Sequence, residues 1–213
     1  MNYARPHSVD EAISILNSEA NSTVFAGATD LIPQIRGGRP YPRLIVDLKI
    51  IPSLVNLNFS NGTWKIGAAT PVARIKNNVK LTKEFPGLSE ASGLIGSDQI
   101  QNRASLGGNV CTASPGADTV PSLMVNDALV VIASNESPRT IPVADVITGP
   151  GSISLETGEF IIEFLLQQPP PRTSDAYERF IPRTEMDIAV VDAAARISLD
   201  ERGHCQEARV AIG

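Results

Sequence analysis

Short apolar runs alternate along the chain with polar segments rich in glycine and proline, and this pattern predicts both strands and helices. Ser8-Val-Asp-Glu11 has the spacing of a helix capping box, and apolar residues follow it at positions 12, 13, 15 and 16. Residues 23–26 and 44–48 are typical of buried strands, and a short helix ending at Ile35 is predicted between them. A strand, a helix and a second strand at this separation favour a parallel strand pair.

The middle of the chain predicts a second group of strands that is interrupted by helices. Residues 63–68 alternate like a strand, whereas residues 159–166 form a strongly apolar one. A helix is predicted to open at residues 71–75, with Pro71 near its first turn, and further helices over residues 88–95 and 118–127. A strand over residues 128–133 follows directly. This region therefore mixes strands and helices around one apolar core.

Three further strands are predicted beyond the proline-rich segment 167–171, where we place a domain boundary. They cover residues 176–181, 187–199 and 205–212 and are expected to be antiparallel, with a turn at residues 200–203. Three strands without a covering helix leave one sheet face unburied, so either another chain covers that face or the sequence is a fragment. We expect the second case, a C-terminally truncated domain.

The composition is that of an ordinary globular protein. Of the 213 residues, 42% are hydrophobic and 19% are charged, which is enough chain for a sizeable core. The net charge of -5 argues against a nucleic-acid-binding protein, whose binding face would be basic. No apolar run reaches the length of a transmembrane segment, and the first residues lack the apolar stretch of a secretory signal. We therefore expect a cytoplasmic protein.

The few cysteines and histidines exclude several kinds of site. Cys111, Cys205, His7 and His204 are remote from one another in sequence, so neither a metal site nor a disulfide is expected. Any iron–sulfur cluster would belong to another chain, because such clusters usually need four cysteine ligands. With no histidine near it to act as a base, Cys111 is interpreted as a small buried residue and not as a nucleophile.

Two glycine-containing segments are the best candidates for binding a ligand. The first glycine segment, residues 26–31, follows a predicted strand and begins a helix, which Thr29 or Asp30 could cap. Free amides at a helix start hold phosphate well, and small side chains let an anion approach the backbone. A tight turn without any ligand explains this segment alone equally well.

The second glycine segment, residues 105–109, is predicted as an amide-rich loop that could hold another phosphate. Asp118 follows this segment, and its carboxylate could bind a ribose hydroxyl. The alternative interpretation is that Asp118 is a plain helix cap. Asn109 is alternatively a turn residue in a left-handed conformation. Two such segments fit the two phosphates of a dinucleotide, but neither the Rossmann fingerprint nor a P-loop is present.

At these residues the sequence resembles the FAD-binding medium subunit of the molybdenum hydroxylases, the family of xanthine dehydrogenase and aerobic carbon monoxide dehydrogenase. The family's A-G-G-T-D-L motif corresponds to Ala26-Gly-Ala-Thr-Asp-Leu31, and its T-I-G-G-N motif to Ser105-Leu-Gly-Gly-Asn109. Its A-S-P-x-A-D motif corresponds to Ala113-Ser-Pro-Gly-Ala-Asp118, and its R-x-x-x-D-I-A motif to Arg183-Thr-Glu-Met-Asp-Ile-Ala189. The resemblance covers the whole chain, in order.

The resemblance implies an α+β fold. A two-part FAD-binding PCMH-type α/β domain would span residues 1–168, with subdomains of about 1–58 and 59–168. An incomplete C-terminal α/β domain of the CO dehydrogenase flavoprotein type would span residues 172–213. FAD would lie between the subdomains, with its pyrophosphate on both glycine segments. By motif position, the implied cofactor-binding residues are Val24, Phe25, Ala26, Gly27, Ala28, Thr29, Asp30, Leu31, Ile95, Ser105, Leu106, Gly107, Gly108, Asn109, Asp118, Ile161 and Arg179.

The resemblance also implies the function of an electron-transfer subunit, with no catalytic acid, base or nucleophile and no metal of its own. Its partners would be a large molybdenum-cofactor subunit and a small 2Fe-2S subunit in a hetero-oligomer. FAD would pass electrons from the iron–sulfur clusters to an external acceptor, for which NAD, quinone and oxygen all stay open. Arg179 would tune the flavin electrostatically or form a surface ion pair.

Ala28 is the most important departure from the family pattern, because the family usually has a second glycine there. If this position needs a positive φ, alanine costs on the order of 1 kcal/mol of stability. Together with the short C-terminus, Ala28 motivates an alternative function as a cofactor-free assembly subunit. A stand-alone FAD oxidoreductase is a further alternative, although no substrate domain with its own catalytic residues is visible.

Overall fold

The computed structural model describes residues 1–184 and 186–213, and its first sheet contains three parallel strands. These are β1 (Asn2–Ala4), β2 (Ser22–Phe25) and β3 (Leu44–Asp47), in the order β1-β3-β2. Helix α1 (Val9–Ser18) joins β1 to β2, and α2 (Leu31–Arg36) joins β2 to β3. The predicted parallel pair of β2 and β3 is confirmed, whereas β1, with only three residues, was not predicted.

The predicted capping box begins α1. The hydroxyl of Ser8 accepts a hydrogen bond from the Glu11 amide at 3.1 Å, and the Glu11 carboxylate accepts one from the His7 amide at 2.7 Å. The return bond thus reaches the residue before the cap. Ala12 and Leu16, one turn apart, are buried against the first sheet.

A five-stranded antiparallel sheet forms the middle of the molecule, in the order β4-β5-β10-β6-β7. Its central strand, β10, pairs with β5 on one side and with β6 on the other, which explains its apolar sequence. Two short strands, β8 and β9, pair with each other beside it. The bounds are β4 (Leu57–Ser60), β5 (Thr63–Gly67), β6 (Leu129–Ala133), β7 (Arg139–Pro142), β8 (Ile147–Gly149), β9 (Ser152–Ile153) and β10 (Phe160–Gln167).

Short helices fill the chain between β5 and β6, and their apolar side chains share one core with the middle sheet. Of these, α3, α5 and α8 match predicted helices, whereas α4, α6 and α7 do not. None of the helices in the described ranges is long and apolar enough to cross a membrane. Their bounds are α3 (Val72–Lys76), α4 (Val79–Glu84), α5 (Pro86–Leu94), α6 (Asp98–Gln101), α7 (Leu106–Thr112) and α8 (Thr119–Val125).

The third sheet is the predicted antiparallel meander of β11 (Thr173–Phe180), β12 (Val191–Leu199) and β13 (Cys205–Ile212). Strand β12 begins at Val191, four residues later than predicted, and Glu185 of the R-x-x-x-D-I-A motif lies outside the described residues. One face of this sheet packs on α5 and α8, so helices from earlier in the chain bury it. The other face is open, with exposed side chains at Phe180, Val191, Ile197, Val210 and Ile212.

Strand β10 connects the two larger hydrophobic clusters. Phe160 at its start packs with Ala12, Leu16 and Val46 of the first sheet and its helix. Further along the same strand, Phe164 lies in the core of the middle sheet. Strand β10 therefore contributes to both clusters, and β6 does so too, through Ile132 in one and Ala133 in the other.

We expect Phe160→Ala to lower the free energy of unfolding by about 3–5 kcal/mol, because it empties a site that is 2% exposed where two clusters meet. The matched control is Phe180→Ala, whose ring is 64% exposed. It should change the free energy by less than about 1 kcal/mol. Urea unfolding of both variants gives the comparison, and equal losses would contradict the assigned role of Phe160.

Candidate functional site

The first and second glycine segments are brought together at Gly27. A Cβ atom at this residue would overlap the carbonyl oxygen of Arg103 and would lie 2.9 Å from the Ala104 nitrogen. The side chain of Arg103 returns a hydrogen bond, since its Nε donates to the Gly27 carbonyl at 3.2 Å. Only glycine permits this approach, which places residues 26–31 beside the start of residues 105–109.

The amides of the first glycine segment are available for a ligand. Ala28 has a φ of 60°, the left-handed conformation that the family's usual glycine would adopt without strain. None of the described residues accepts a hydrogen bond from the backbone amides of Gly27, Ala28, Thr29 or Asp30. The Asp30 side chain makes no capping bond to α2, contrary to one of the predicted possibilities. Consecutive free amides around a left-handed residue form a concave group of donors that suits an anion.

The second glycine segment is not the predicted loop, and that prediction is wrong. Ser105 caps α7, and the following residues form its first turn. Their amides already have partners: Gly107 donates to the Ala68 carbonyl at 3.0 Å, Gly108 to the Ser105 hydroxyl at 3.2 Å, and Asn109 to the Ser105 carbonyl at 3.0 Å. This segment therefore offers a ligand an open helical surface, because most of its amides are already bonded.

Two glycines in a row weaken helix propensity, which explains why α7 was not predicted from the sequence. Tertiary contacts stabilise α7 despite its low helix propensity. A Cβ on Gly107 would lie 2.7 Å from the Ala68 carbonyl oxygen, so glycine is needed for the contact with the end of β5. Packing against the middle sheet thus holds the first turn in place.

The exposed side of α7 faces the first glycine segment. A Cβ on Gly108 would meet only the Ser105 hydroxyl, at 3.5 Å, which leaves the space above it open. Thr112 lies one turn later on the same side, and its hydroxyl donates to the Gly108 carbonyl at 2.9 Å. Desolvation raises the pKa of the Asp30 carboxyl, which lies close to the Thr112 side chain. Gly108, Thr112 and Asp30 therefore border one surface.

Asp118 occupies the position before α8 but does not cap that helix. The cap comes from Asn109, whose Oδ1 accepts a hydrogen bond from the Thr119 amide at 3.1 Å. Asn109 is thus helical, and the left-handed residue at the end of α7 is Ala113, with a φ of 47°. The interpretation of Asp118 as a helix cap is therefore wrong, and so is that of Asn109 as a left-handed turn residue.

The Asp118 carboxylate instead faces the third sheet. Its Oδ1 accepts hydrogen bonds from Arg179 Nη1 and from the Tyr177 hydroxyl, both at 2.8 Å. The Arg179 side chain is 6% exposed, so this ion pair is buried and the surface ion pair predicted as one possibility is wrong. No described residue donates a hydrogen bond to Asp118 Oδ2, which leaves one oxygen for a ligand.

Ile95 and Ile161, the remaining sites implied by the resemblance, lie with the core of the middle sheet. Ile95 ends α5 and is partly buried. The Ile161 side chain on β10 is 3% exposed, so only its backbone is left to contact a ligand. Cys111 is partly buried on α7, and desolvation raises its pKa to about 12, so it stays a thiol at neutral pH.

Tyr177 and Asp192 are functional candidates that the sequence interpretation missed. Tyr177 contacts Asp118 as described, and its hydroxyl also lies 2.9 Å from Asp192 Oδ2. A signal was present, because alternation along β11 places Asp175, Tyr177 and Arg179 on one face of the sheet. The sequence interpretation assigned Tyr177 and Asp192 only to strands, with no partner for either side chain.

Comparison with known proteins gives a consistent result over the whole chain. The family model for the FAD binding domain in molybdopterin dehydrogenase matches residues 1–167. The chain is 31% identical to the 6-hydroxypseudooxynicotine dehydrogenase complex subunit alpha of Paenarthrobacter nicotinovorans, over 99% of this chain and 71% of that protein. It is 30% identical to the xanthine dehydrogenase FAD-binding subunit of Escherichia coli O157:H7, over 99% of this chain and 73% of that protein.

The fold also matches a solved structure. The chain superimposes on carbon monoxide dehydrogenase from Hydrogenophaga pseudoflava, in a form that lacks the Mo-pyranopterin moiety, with a TM-score of 0.94 and 26% identity. The match covers 100% of this chain and 74% of that chain. The α+β fold expected from the sequence is therefore confirmed.

Replacing Ala28 tests the strain in the first glycine segment. We expect Ala28→Gly to raise the free energy of unfolding by about 0.5–1 kcal/mol, because glycine removes the steric cost of a positive φ. Ala26→Gly is the matched control in the same segment. Ala26 has no positive φ, so this variant should lose about 0.5–1 kcal/mol. Changes of the same sign in thermal or urea unfolding would contradict the assignment of strain to Ala28.

Proposed function

Because the chain belongs to the family of FAD-binding domains in molybdopterin dehydrogenases, we propose that it binds FAD and transfers electrons within a molybdenum hydroxylase complex. The family comprises flavoprotein subunits of oxidoreductases of the xanthine dehydrogenase and CO dehydrogenase type. Within such a complex, the oxidation of the organic substrate would take place on another subunit. This chain would position the cofactor.

One observation carries the proposal: the free amides of Gly27, Ala28, Thr29 and Asp30 around a left-handed residue. A diphosphate is doubly charged at neutral pH and needs several donors at close range. Backbone amides supply them without the desolvation cost of a buried cation. The residues present thus fit the cofactor at its diphosphate.

The open side of α7 supports the same location. Above Gly108 there is room for a ligand group that any larger side chain would fill. Asp118 Oδ2 supports the proposed contact to the adenosine ribose, because a carboxylate oxygen accepts hydrogen bonds from hydroxyl groups. The second glycine segment would thus contribute surface and shape, and the first would contribute most of the donors.

When bound, FAD supplies the redox chemistry, and the protein supplies binding and orientation. The free amides of residues 27–30 would hold the diphosphate, and the contact of Gly27 with Arg103 would fix those amides relative to α7. The buried pair of Asp118 and Arg179 would give the adenosine end a rigid wall. None of these residues needs to exchange a proton with an organic substrate.

The proposed partners are a large subunit with the molybdenum cofactor and a small subunit with 2Fe-2S clusters. Two relatives support this proposal by their names. One is the FAD-binding subunit of a xanthine dehydrogenase, and the other is subunit alpha of a dehydrogenase complex. The sequence has only two cysteines, fewer than an iron–sulfur cluster usually needs. Electrons would therefore reach this chain from clusters on another subunit.

Gly108→Leu tests the proposal directly. We expect the purified wild type to take up FAD and to show the visible absorption of a bound flavin. The leucine side chain would fill the open space above α7, so the affinity should fall at least about tenfold, which corresponds to about 1.4 kcal/mol. Fluorescence titration of FAD measures the change.

Gly93→Leu is the matched control, since Gly93 is also helical and its Cβ would make only an ordinary 3.8 Å contact with Lys76. It should bind FAD like the wild type. A well-folded wild type that stays colourless and ignores FAD would refute the proposed function and favour the cofactor-free assembly subunit. Equal losses in both variants would refute the location at Gly108.

A further inference from the structure

A buried chain of polar groups connects the third sheet to the helices of the middle sheet. The Tyr177 hydroxyl lies between two carboxyl groups, 2.8 Å from Asp118 Oδ1 and 2.9 Å from Asp192 Oδ2. All three residues are buried, with exposed fractions of 3% for Tyr177, 8% for Asp118 and 2% for Asp192. Water therefore contributes little to the bonding of these atoms.

The number of available hydrogen atoms limits which hydrogen bonds these three side chains can form together. A phenol donates one hydrogen, and an ionised carboxylate only accepts. If Tyr177 donates to one carboxylate, its contact with the other has no hydrogen unless that carboxyl group carries one. Both contacts are within ordinary hydrogen-bond distance, so one proton beyond that of Tyr177 is required.

The surroundings decide which carboxyl group carries the proton. Asp118 Oδ1 also accepts from Arg179 Nη1 at 2.8 Å, so Asp118 already has a positively charged partner. Asp192 Oδ1 is buried without a hydrogen-bond partner among the described residues, which an anion tolerates poorly. Asp192 is thus the member that a proton stabilises most.

We infer that Asp192 keeps its proton at neutral pH and donates it to the Tyr177 hydroxyl, whose own hydrogen goes to Asp118. Tyr177 and Asp192 are then positioning residues for Asp118. They fix Oδ1 from the side of the third sheet and leave Oδ2 for the ligand. The effect on the cofactor rests on the proposed function, whereas the location of the proton does not.

The charged and titratable groups that face Asp192 agree with this inference. Burial raises the pKa of Asp192, and the negative charge of Asp118 raises it again. The backbone amide of Gly213 after β13 and the positive charge of Arg179 on β11 lower it. The net direction is upward. Burial and the two carboxyl groups also raise the pKa of Tyr177, which therefore keeps its hydrogen.

The pH dependence of stability is the first test. A carboxyl group whose pKa is raised on folding stabilises the protein fully below its unfolded pKa of about 3.9, and this contribution is lost as the pH rises through the folded pKa. Asp192→Asn keeps a donor but cannot titrate. From about pH 5 to 7, the unfolding equilibrium constant of the wild type should therefore rise about tenfold per pH unit relative to Asp192→Asn.

Asp145→Asn is the matched control, because Asp145 is exposed and undergoes the same replacement of a carboxyl group by an amide. Its unfolding equilibrium constant should keep a constant ratio to that of the wild type over this pH range. A constant ratio for Asp192→Asn as well would overturn the inference.

Carbon-13 NMR of aspartate carboxyl carbons observes the proton itself and needs no cofactor. The Asp192 signal, identified by its loss in Asp192→Asn, should have the chemical shift of a carboxylic acid at pH 7. A carboxylate shift at pH 7 would overturn the inference whether or not FAD binds.

FAD titrations then test the positioning role. Asp192→Asn should bind FAD within about twofold of the wild type at pH 7, since the asparagine amide still donates to Tyr177. Asp192→Ala leaves the Tyr177 oxygen without that donor, and the affinity should fall about fivefold, as expected for one lost hydrogen bond of about 1 kcal/mol.

An unchanged affinity in Asp192→Ala would refute the positioning role even if NMR finds the proton on Asp192. If no variant and no wild type binds FAD, the proposed function fails, and NMR alone decides where the proton lies.

Discussion

The absence of a side chain at Gly27 is the constraint on which the binding surface depends. Because the backbone of this residue lies directly against the carbonyl of Arg103, the loop after β2 and the start of α7 are held at contact distance. A methyl group there would separate the first sheet from the helices of the middle sheet. The free amides of residues 27–30 would then face solvent instead of the open side of α7. A ligand that uses both segments needs this contact before it needs any particular side chain.

A second contact joins β11 to helices α5 and α8. It is polar, whereas the contact at Gly27 is steric. The inward face of β11 bonds the start of α5 and both ends of α8. Asp175 accepts from the Gly87 amide at 3.2 Å and from the Asn126 side chain at 2.8 Å, while Tyr177 and Arg179 bond Asp118. Buried bonds of this kind are costly unless every member finds a partner, so they specify one orientation of the third sheet. The position of Asp118 is thus set from outside the region that the family model covers.

Local patterns in the sequence were sufficient for much of the fold. The capping box at Ser8, the apolar run of β10 and the turn after β12 each act over a few residues, so periodicity and turn chemistry predict them. Helix α7 could not be predicted in this way, because its two glycines favour a loop and the helix depends on tertiary contacts such as the one with Ala68. The pairing of Tyr177 with Asp118 and Asp192 depends on how β11 and β12 meet α8, which is tertiary information. The residue pattern located the glycine segments, whereas the structure identified which of their amides are free.

The role of β10 in two clusters has a consequence for the order in which the chain can fold. The first sheet needs only residues up to Asp47, and its strands could pair early during synthesis. Helix α1 nevertheless lacks part of its apolar partner until Phe160 has been made. Strand β5 can pair with β4 early, but its other edge stays unpaired until β10 is made, because Gly67 pairs with Glu163. Such distant pairings require closure of a long loop before any contact energy is gained, which slows folding. The nascent chain would therefore keep apolar surface exposed until β10 has been made.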